Sequence, residues 1–175
     1  MDLKILVKQA KQQNQDALID LIMAQKDDYY RLAYVYVNNE SDVLDAMQDM
    51  IVTCFEKIDQ LKDPNKFYSW SKTILVNECK NILRKKKKVV PMEKLKQEPK
   101  ADRTSQHDDL LAIEQEIHHL NEKQQEAIKL RYVLDLDIKT IAALTETSEG
   151  TVKSRLSNGI KKLREKLGGV GHEEA

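Results

Sequence analysis

The sequence predicts an all-α protein of two small helical domains joined by a flexible linker. Three observations carry this. Glycine and proline are scarce, five and three among 175 residues. Apolar residues recur at three- and four-residue spacing over long stretches, the period of a helix buried along one side. Between two such blocks lies a polar stretch with no sustained period.

The first block is residues 1–88. Leu3, Leu6 and Ala10, then Ala17, Leu18, Leu21 and Ile22, supply one core face, and Leu32 to Val37 a second. Asn38-Asn39-Glu40 reads as a turn. Ser41 is placed to cap the next helix, where Val43, Met47, Met50/Ile51, Cys54, Phe55 and Ile58 form a stripe. Lys62-Asp63-Pro64-Asn65 breaks the chain, and a long helix is expected from about Phe67 to Lys88. Residues 89–107 are polar and contain two prolines. Such a composition buries too little surface to offset the entropy of ordering, so this is the expected linker. Helical signal returns near Asp108 and runs through Leu110/Leu111, Ile117 and Leu120 to Asn121, a fitting N-cap. The second domain is residues 108–167, and 168–175 is read as a frayed tail.

Composition excludes several functions. The chain carries 29 basic and 29 acidic side chains, so net charge points to no polyanion. Charge is local instead: Arg84 to Lys88 are five basic residues in a row, while acid gathers at Asp42 to Asp49 and Asp108 to Glu116. Local basic patches on a neutral chain suit moderate DNA affinity that needs help from another component. No apolar run approaches the roughly 18 residues of a membrane span. The start, MDLKILVKQAKQQ, lacks the apolar core of a signal peptide, so a cytoplasmic protein is expected. Cys54 and Cys79 read as buried reduced thiols. The spacing of His107, His118, His119 and His172 fits no zinc site, and no nucleophile–base pair or phosphate loop appears. Neither metal, cofactor, small-molecule substrate nor enzymatic activity is expected.

Residues 138–166, IKTIAALTETSEGTVKSRLSNGIKKLREK, have the layout of a helix-turn-helix. Ile138 to about Leu144 is the first helix, with Ile141, Ala142 and Leu144 facing inward. Thr145 to Ser148 is the turn, without the glycine often found there. Ser148 caps the second helix, whose apolar stripe is Val152, Leu156, Ile160 and Leu163. Lys153, Ser154, Arg155, Ser157, Asn158, Lys161, Lys162 and Arg164 fill the outer side. A recognition helix needs such a back for docking and such a front for phosphates and base edges. Gly150, Ser154 and Ser157 are small enough for close approach to DNA. An ordinary amphipathic surface helix with a basic outer side has the same pattern.

A second segment, Phe67-Tyr68-Ser69-Trp70, places three aromatics beside Lys62, Lys66 and Lys72. Aromatic platforms among cations suit single-stranded DNA, with bases on the rings and lysines on the backbone. Phe67 and Trp70 are read as mostly structural, Tyr68, Lys72 and Asn77 as exposed, with Asn77 and Lys80 close to the Tyr68/Lys72 side.

The whole chain resembles a bacterial RNA polymerase sigma factor of the extracytoplasmic-function (ECF) type. Four segments carry the resemblance, in order and across a linker in the right place. DVLDAMQDMIVTCFEKI resembles the family's second conserved region. FYSWSKTILVNECKNILRKKKK resembles its F-x-x-W…I-x-x-N…L-R-K helix. LNEKQQEAIKLRYVLDLDIKTIAALT resembles the start of its fourth region, and SEGTVKSRLSNGIKKLREKL its S-x-G-T-V-K-S-R-L helix.

The resemblance implies a non-catalytic polymerase subunit of two domains, region 2 and region 4, serving a stress regulon. Asp45, Gln48, Asp49 and Glu56 would face the polymerase core, with Leu44 and Val52 adding apolar contact. Residues 61–66 and the start of the next helix would capture a flipped non-template base of the minus-ten element, using Lys62, Asn65, Lys66, Tyr68, Lys72, Asn77, Lys80 and Arg84. The Arg84–Lys88 run would hold phosphates. At the minus-thirty-five element, Lys153, Ser154, Ser157 and Asn158 would read base edges, and Thr151, Arg155 and Lys161 would sit on phosphates beside Gly150. Promoter DNA, the polymerase core and an anti-sigma factor, often membrane-anchored, are the implied partners. Three positions depart from the family pattern. Thr140 stands where glutamate is common. Ser71 replaces an apolar residue, and Ser157-Asn158-Gly159 replaces a bulky-basic-alanine stretch. Gly159 is expected to loosen its helix by about 0.5–1 kcal/mol relative to alanine. The alternative function is a stand-alone helix-turn-helix regulator.

Overall fold

The computed structural model describes residues 2–89 and 114–168, and all its described regular structure is helical. The chain divides into two compact units, Met1–Met92 and Glu93–Ala175. Apart from Val89, the linker expected at 89–107 lies outside the described residues. So do the helical signal at 108–113 and the tail beyond 168.

The first unit contains α1 (Leu3–Lys11), α2 (Gln15–Met23), α3 (Lys26–Val37), α4 (Glu40–Lys57) and α5 (Phe67–Val89). Local chemistry sets the boundaries. The Asp2 carboxylate accepts from the Lys4 N–H at 3.0 Å, and the Asn14 amide oxygen from Ala17 N–H at 3.2 Å. Asn38, at φ 55°, ends α3 in the left-handed conformation that asparagine tolerates. The expected cap of α4, Ser41, instead lies inside the helix. Once Asn38 has turned the chain, Asn39 is the extended residue, and its Oδ1 accepts from Asp42 N–H at 2.9 Å. Pro64 opens a single tight turn, Pro64–Lys66, which Asp63 caps at 3.0 Å and which runs into α5.

The core lies among α3, α4 and α5, with α1 and α2 closing one side. Along α4 the buried residues are Val43, Ala46, Met50, Cys54 and Ile58, while Met47, Ile51 and Phe55 are half-buried. The stripe is thus narrower than the apolar residues alone suggest, and Ala46 belongs to it. Tyr29 and Ser71 are fully buried, and their hydroxyls bond at 2.7 Å. Ser71 also bonds to the Tyr68 carbonyl at 3.2 Å. The departure at Ser71 therefore has a partner, a phenol rather than an apolar ring edge. Burial pushes the Tyr29 phenol far above its usual value, with the Ser71 bond partly opposing it.

The second unit contains helical residues 114–118, then α6 (Glu122–Ile128), which continues as a wider turn at Lys129–Val133. α7 (Ile138–Thr145) and α8 (Glu149–Gly168) follow. Asn121 caps α6, accepting from Gln124 N–H at 2.8 Å. Asp137 caps α7 in the same way at 2.7 Å. The turn from α7 to α8 passes through Glu146 at φ 54°, the conformation for which glycine is the usual choice. Ser148 then accepts from Thr151 N–H at 3.1 Å, as its N-cap position predicts. Leu130, Ile141 and Val152 are completely buried.

Gly159 also has a packing role. Along α8 the buried positions are Val152, Leu156 and Gly159, while Ile160 and Leu163 are half-buried. A Cβ on Gly159 would lie 2.7 Å from Ile128 Cδ1 and 3.5 Å from Gln124 Cβ. The glycine is where α8 packs closely on α6, so an alanine there gains helix propensity but must displace the end of the Ile128 side chain.

Three outcomes follow. Ser71→Ala strands the Tyr29 hydroxyl in the core and costs about 1–3 kcal/mol. Tyr29→Phe costs less, because Ser71 keeps the Tyr68 carbonyl, and the double variant recovers part of the loss; urea denaturation of all three reads this. Gly159→Ala is better tolerated in an Ile128→Val background, which lacks the opposing Cδ1, than alone. Simple additivity of the two free energies would show that this contact does not matter. Burial pushes the Cys54 and Cys79 thiols up to about 12, with Glu78 adding to both shifts. Iodoacetamide at pH 8 is therefore expected to leave both thiols unmodified in the folded protein and to label both in denaturant, with mass spectrometry as the readout.

Candidate nucleic-acid interface

Three helix faces carry the residues singled out in the sequence. The first is the outer face of α4. Leu44, Asp45, Gln48, Asp49, Val52 and Glu56 are all exposed there. Leu44, Gln48, Val52 and Glu56 follow at spacings of four, and Asp45 and Asp49 each lie one residue further on, which keeps the set on one side of the helix. Leu44 and Val52, two turns apart, are 54% and 53% exposed. They are two large aliphatic side chains left in water within an acidic face.

The second face belongs to α5 and the turn before it. Lys62, Asn65 and Lys66 are exposed. The aromatic cluster behind them is more interior than its composition suggests. Phe67 is fully buried, edge-on to Tyr68 at 5.4 Å and tilted against Trp70 at 6.0 Å. Two expected exposures are corrected. Tyr68 is half-buried, and its hydroxyl donates to the Leu21 carbonyl at 3.2 Å. Lys72 is also half-buried, 3.8 Å from the Asp28 carboxylate and 5.9 Å from the Tyr29 ring centre. Both lie on the side of α5 that packs on α2 and α3. Trp70, read as mostly structural, is only half-buried.

Asn77 and Arg84, seven residues apart, are exposed and share the opposite side of α5 from Tyr68. Asn77 is thus not beside Tyr68 and Lys72, contrary to the sequence-based placement. Lys80 is half-buried, 6.0 Å from the Tyr36 ring centre. Ser69 is also exposed, and the half-buried Thr73 donates its hydroxyl to the Ser69 carbonyl at 3.0 Å, a pair that sequence patterning did not single out. Within the basic run, Lys86 makes an ion pair with Asp42, which also accepts from the Asn39 amide at 2.6 Å. Burial works against the charged form of Asp42, but the Lys86 and Asn39 bonds outweigh it and hold the carboxyl below its usual value.

The third face is the outer side of α8. Gly150, Lys153, Ser154, Ser157, Asn158 and Lys161 are exposed, while Thr151 and Arg155 are half-buried. A Cβ on Gly150 would meet nothing nearer than Ser148 Oγ at 3.9 Å, so nothing within the unit requires a glycine there. An open groove runs between the starts of α6 and α8, lined by Asn121, Gln124, Ser148, Gly150, Ser154, Arg155 and Asn158 among others. Gln124 is 7% exposed and its Oε1 has no partner among the described residues. Its place in the groove could not be read from sequence, because it depends on how α6 crosses α8. Among the described residues no group of three His, Cys, Asp or Glu side chains could hold a metal ion. No described helix is long and apolar enough to cross a membrane.

Comparison with known proteins matches both units. The family model for Sigma-70 region 2 matches residues 21–89, and that for Sigma-70, region 4 matches 110–163. RNA polymerase sigma factor SigV of Bacillus subtilis is 31% identical over 157 residues, covering 90% of this chain and 95% of SigV. ECF RNA polymerase sigma factor SigW of the same organism is 29% identical over 182 aligned positions, covering 95% and 97%. The solved structure of CnrH in complex with the cytosolic domain of CnrY shares the fold, with TM-score 0.66, 23% identity and coverage of 96% and 99%. With a relative above 30% identity spanning nearly all of both chains, and regions 2 and 4 matched in order, this chain belongs to the ECF-type RNA polymerase sigma factors, which bind the polymerase core and direct promoter recognition and transcription initiation.

Proposed function

We propose that the three faces divide the work of promoter recognition among themselves, within a subunit that has no catalytic chemistry of its own. The outer face of α4 docks on the polymerase core through Leu44 and Val52, with Asp45, Gln48, Asp49 and Glu56 meeting basic groups around them. The bare apolar pair in an acidic helix face is the observation that carries this reading.

Region 2 holds the melted non-template strand. Lys62, Asn65 and Lys66 surround the entrance, and the accessible part of Trp70 offers the stacking surface. Asn77 and Arg84 continue the contact along α5. Lys80 contributes from the edge of that face. Tyr68 and Lys72 shape the site from behind, since both are engaged with α2 and α3. Unstacking a base costs a few kcal/mol, which stacking and phosphate contacts must offset. In region 4, Lys153, Ser154, Ser157 and Asn158 read duplex base edges. Thr151, Arg155 and Lys161 position on phosphates, and Gly150 lets the backbone come close.

Equal numbers of acidic and basic residues fit this division. Each DNA contact is weak alone, and tethering through the polymerase supplies the avidity. CnrH and the Bartonella quintana sigma factor RpoE are each held by a partner, the cytosolic domain of CnrY and the anti-sigma factor NepR respectively. An anti-sigma factor controlling a stress regulon from the cytoplasmic side is proposed for this chain as well. A stand-alone regulator would leave the α4 face without a role.

Run-off transcription tests the reading. Core polymerase plus this protein is expected to make transcripts from a promoter that core alone ignores. Val52→Glu is expected to weaken core binding by about 2 kcal/mol, roughly 30-fold, with unchanged thermal unfolding. Tight binding of the free protein to a palindromic duplex, with no effect of Val52→Glu on transcription, would point to the stand-alone regulator.

A further inference from the structure

The basic run at the end of α5 contains five cations in sequence but not five equivalent cations in space. Residues 84–89 are exposed. Among the described residues, Lys86 differs from Arg84, Lys85 and Lys88 in one respect: its ammonium is paired with a carboxylate from another helix, Asp42 in the first turn of α4, 44 residues away. Asp42 is 8% exposed, whereas its neighbours Ser41, Leu44 and Asp45 are exposed.

The carboxylate is itself held from several directions. Its backbone N–H is bound by Asn39 Oδ1 at 2.9 Å, and its Oδ2 accepts from Asn39 Nδ2 at 2.6 Å. The same Nδ2 also bonds to the Val37 carbonyl at 3.2 Å. The cap of α4 thus aims one nearly buried negative charge at one lysine. The pair as a whole is neutral, so Lys86 has less charge to offer a phosphate than an unpaired lysine. Reaching one would strand a carboxylate that has little access to water.

We propose that Asp42 is a positioning residue that withholds Lys86 from nucleic acid. The phosphate-binding set of the run is then Arg84, Lys85 and Lys88, and Asp42 sets how steeply DNA binding responds to salt. This rests on the reading of α5 as a DNA-contacting helix. The consequence is specific, because the slope of log affinity against log salt counts released counterions at about 0.7–0.9 per phosphate contact.

The test uses holoenzyme reconstituted from polymerase core and the full chain. Binding to fork-junction promoter DNA is measured from 50 to 200 mM salt, where one contact changes affinity by about threefold. Arg84→Ala should make the slope shallower by one contact. Lys86→Met should leave the slope at the wild-type value although it removes a formal charge. Asp42→Asn should release Lys86 and make the slope steeper by one contact, and Asp42→Asn with Lys86→Met should return it to wild type. A role confined to folding moves thermal stability and not the slope. The inference is overturned if Lys86→Met shallows the slope as Arg84→Ala does, or if folded Asp42→Asn fails to steepen it. Should Arg84→Ala also leave the slope unchanged, the DNA-contacting reading of α5 falls together with it. If Asp42→Asn does not fold, the comparison of Lys86→Met with Arg84→Ala decides alone.

Discussion

The seating of α5 against α3 and α4 governs what the first unit can present to solvent. Phe67, Ser71, Leu75 and Cys79, successive residues one turn apart, are completely buried. About three turns locked into a core leave α5 little freedom to rotate. Rotation about its axis would bring the Ser71 hydroxyl out of reach of Tyr29 and expose apolar surface at about 25 cal/mol per Å². Asn77 and Arg84 face solvent because the other side of the helix is committed. The same commitment explains why Tyr68 and Lys72 are drawn inward: they sit where the buried stripe meets α2 and α3. The exposed face of α5 is therefore a by-product of core packing, and substitutions in the core can alter the proposed DNA contacts without touching them.

The second unit solves a related problem with less material. Its core is small, and α8 must dock firmly enough that its outer face keeps a defined orientation. Val152 and Leu156 supply apolar surface, and Gly159 supplies proximity. With no side chain at 159, Ile128 of α6 fills the space against the α8 backbone. Helix propensity is sacrificed at one position to gain contact along the whole crossing. Around the turn, Ser148 and Thr151 share a short hydroxyl contact of 2.9 Å while Ser148 also caps the backbone. The first turn of α8 is thus braced from within the unit.

Much of this was legible in the sequence, for identifiable reasons. Helix positions follow from apolar periodicity, and the caps at Asn121 and Ser148 follow from residue type. The exposed sets on α4 and α8 follow from the positions that the stripes leave over. What patterning could not supply was tertiary. Ser41 and Asn39 are both good caps, and the left-handed turn at Asn38 decides between them. Gly159 looks like a defect until α6 is placed across it. Tyr68 and Lys72 look exposed because each has a polar end, yet each finds a partner on another helix. The Asp42–Lys86 pair joins residues 44 positions apart, a separation at which composition carries no information about contact.

Trp70 brings a further consequence. It is the sole tryptophan of the chain. It sits at the start of α5, half-buried against Phe67 and only a few residues from Asn65 and Lys66. All indole emission from the free protein therefore arises from one spot, beside the residues proposed to receive a melted strand. The fluorophore is natural and no labelling is needed. The emitting indole belongs to region 2, and region 4 can unfold or bind without contributing an indole signal of its own.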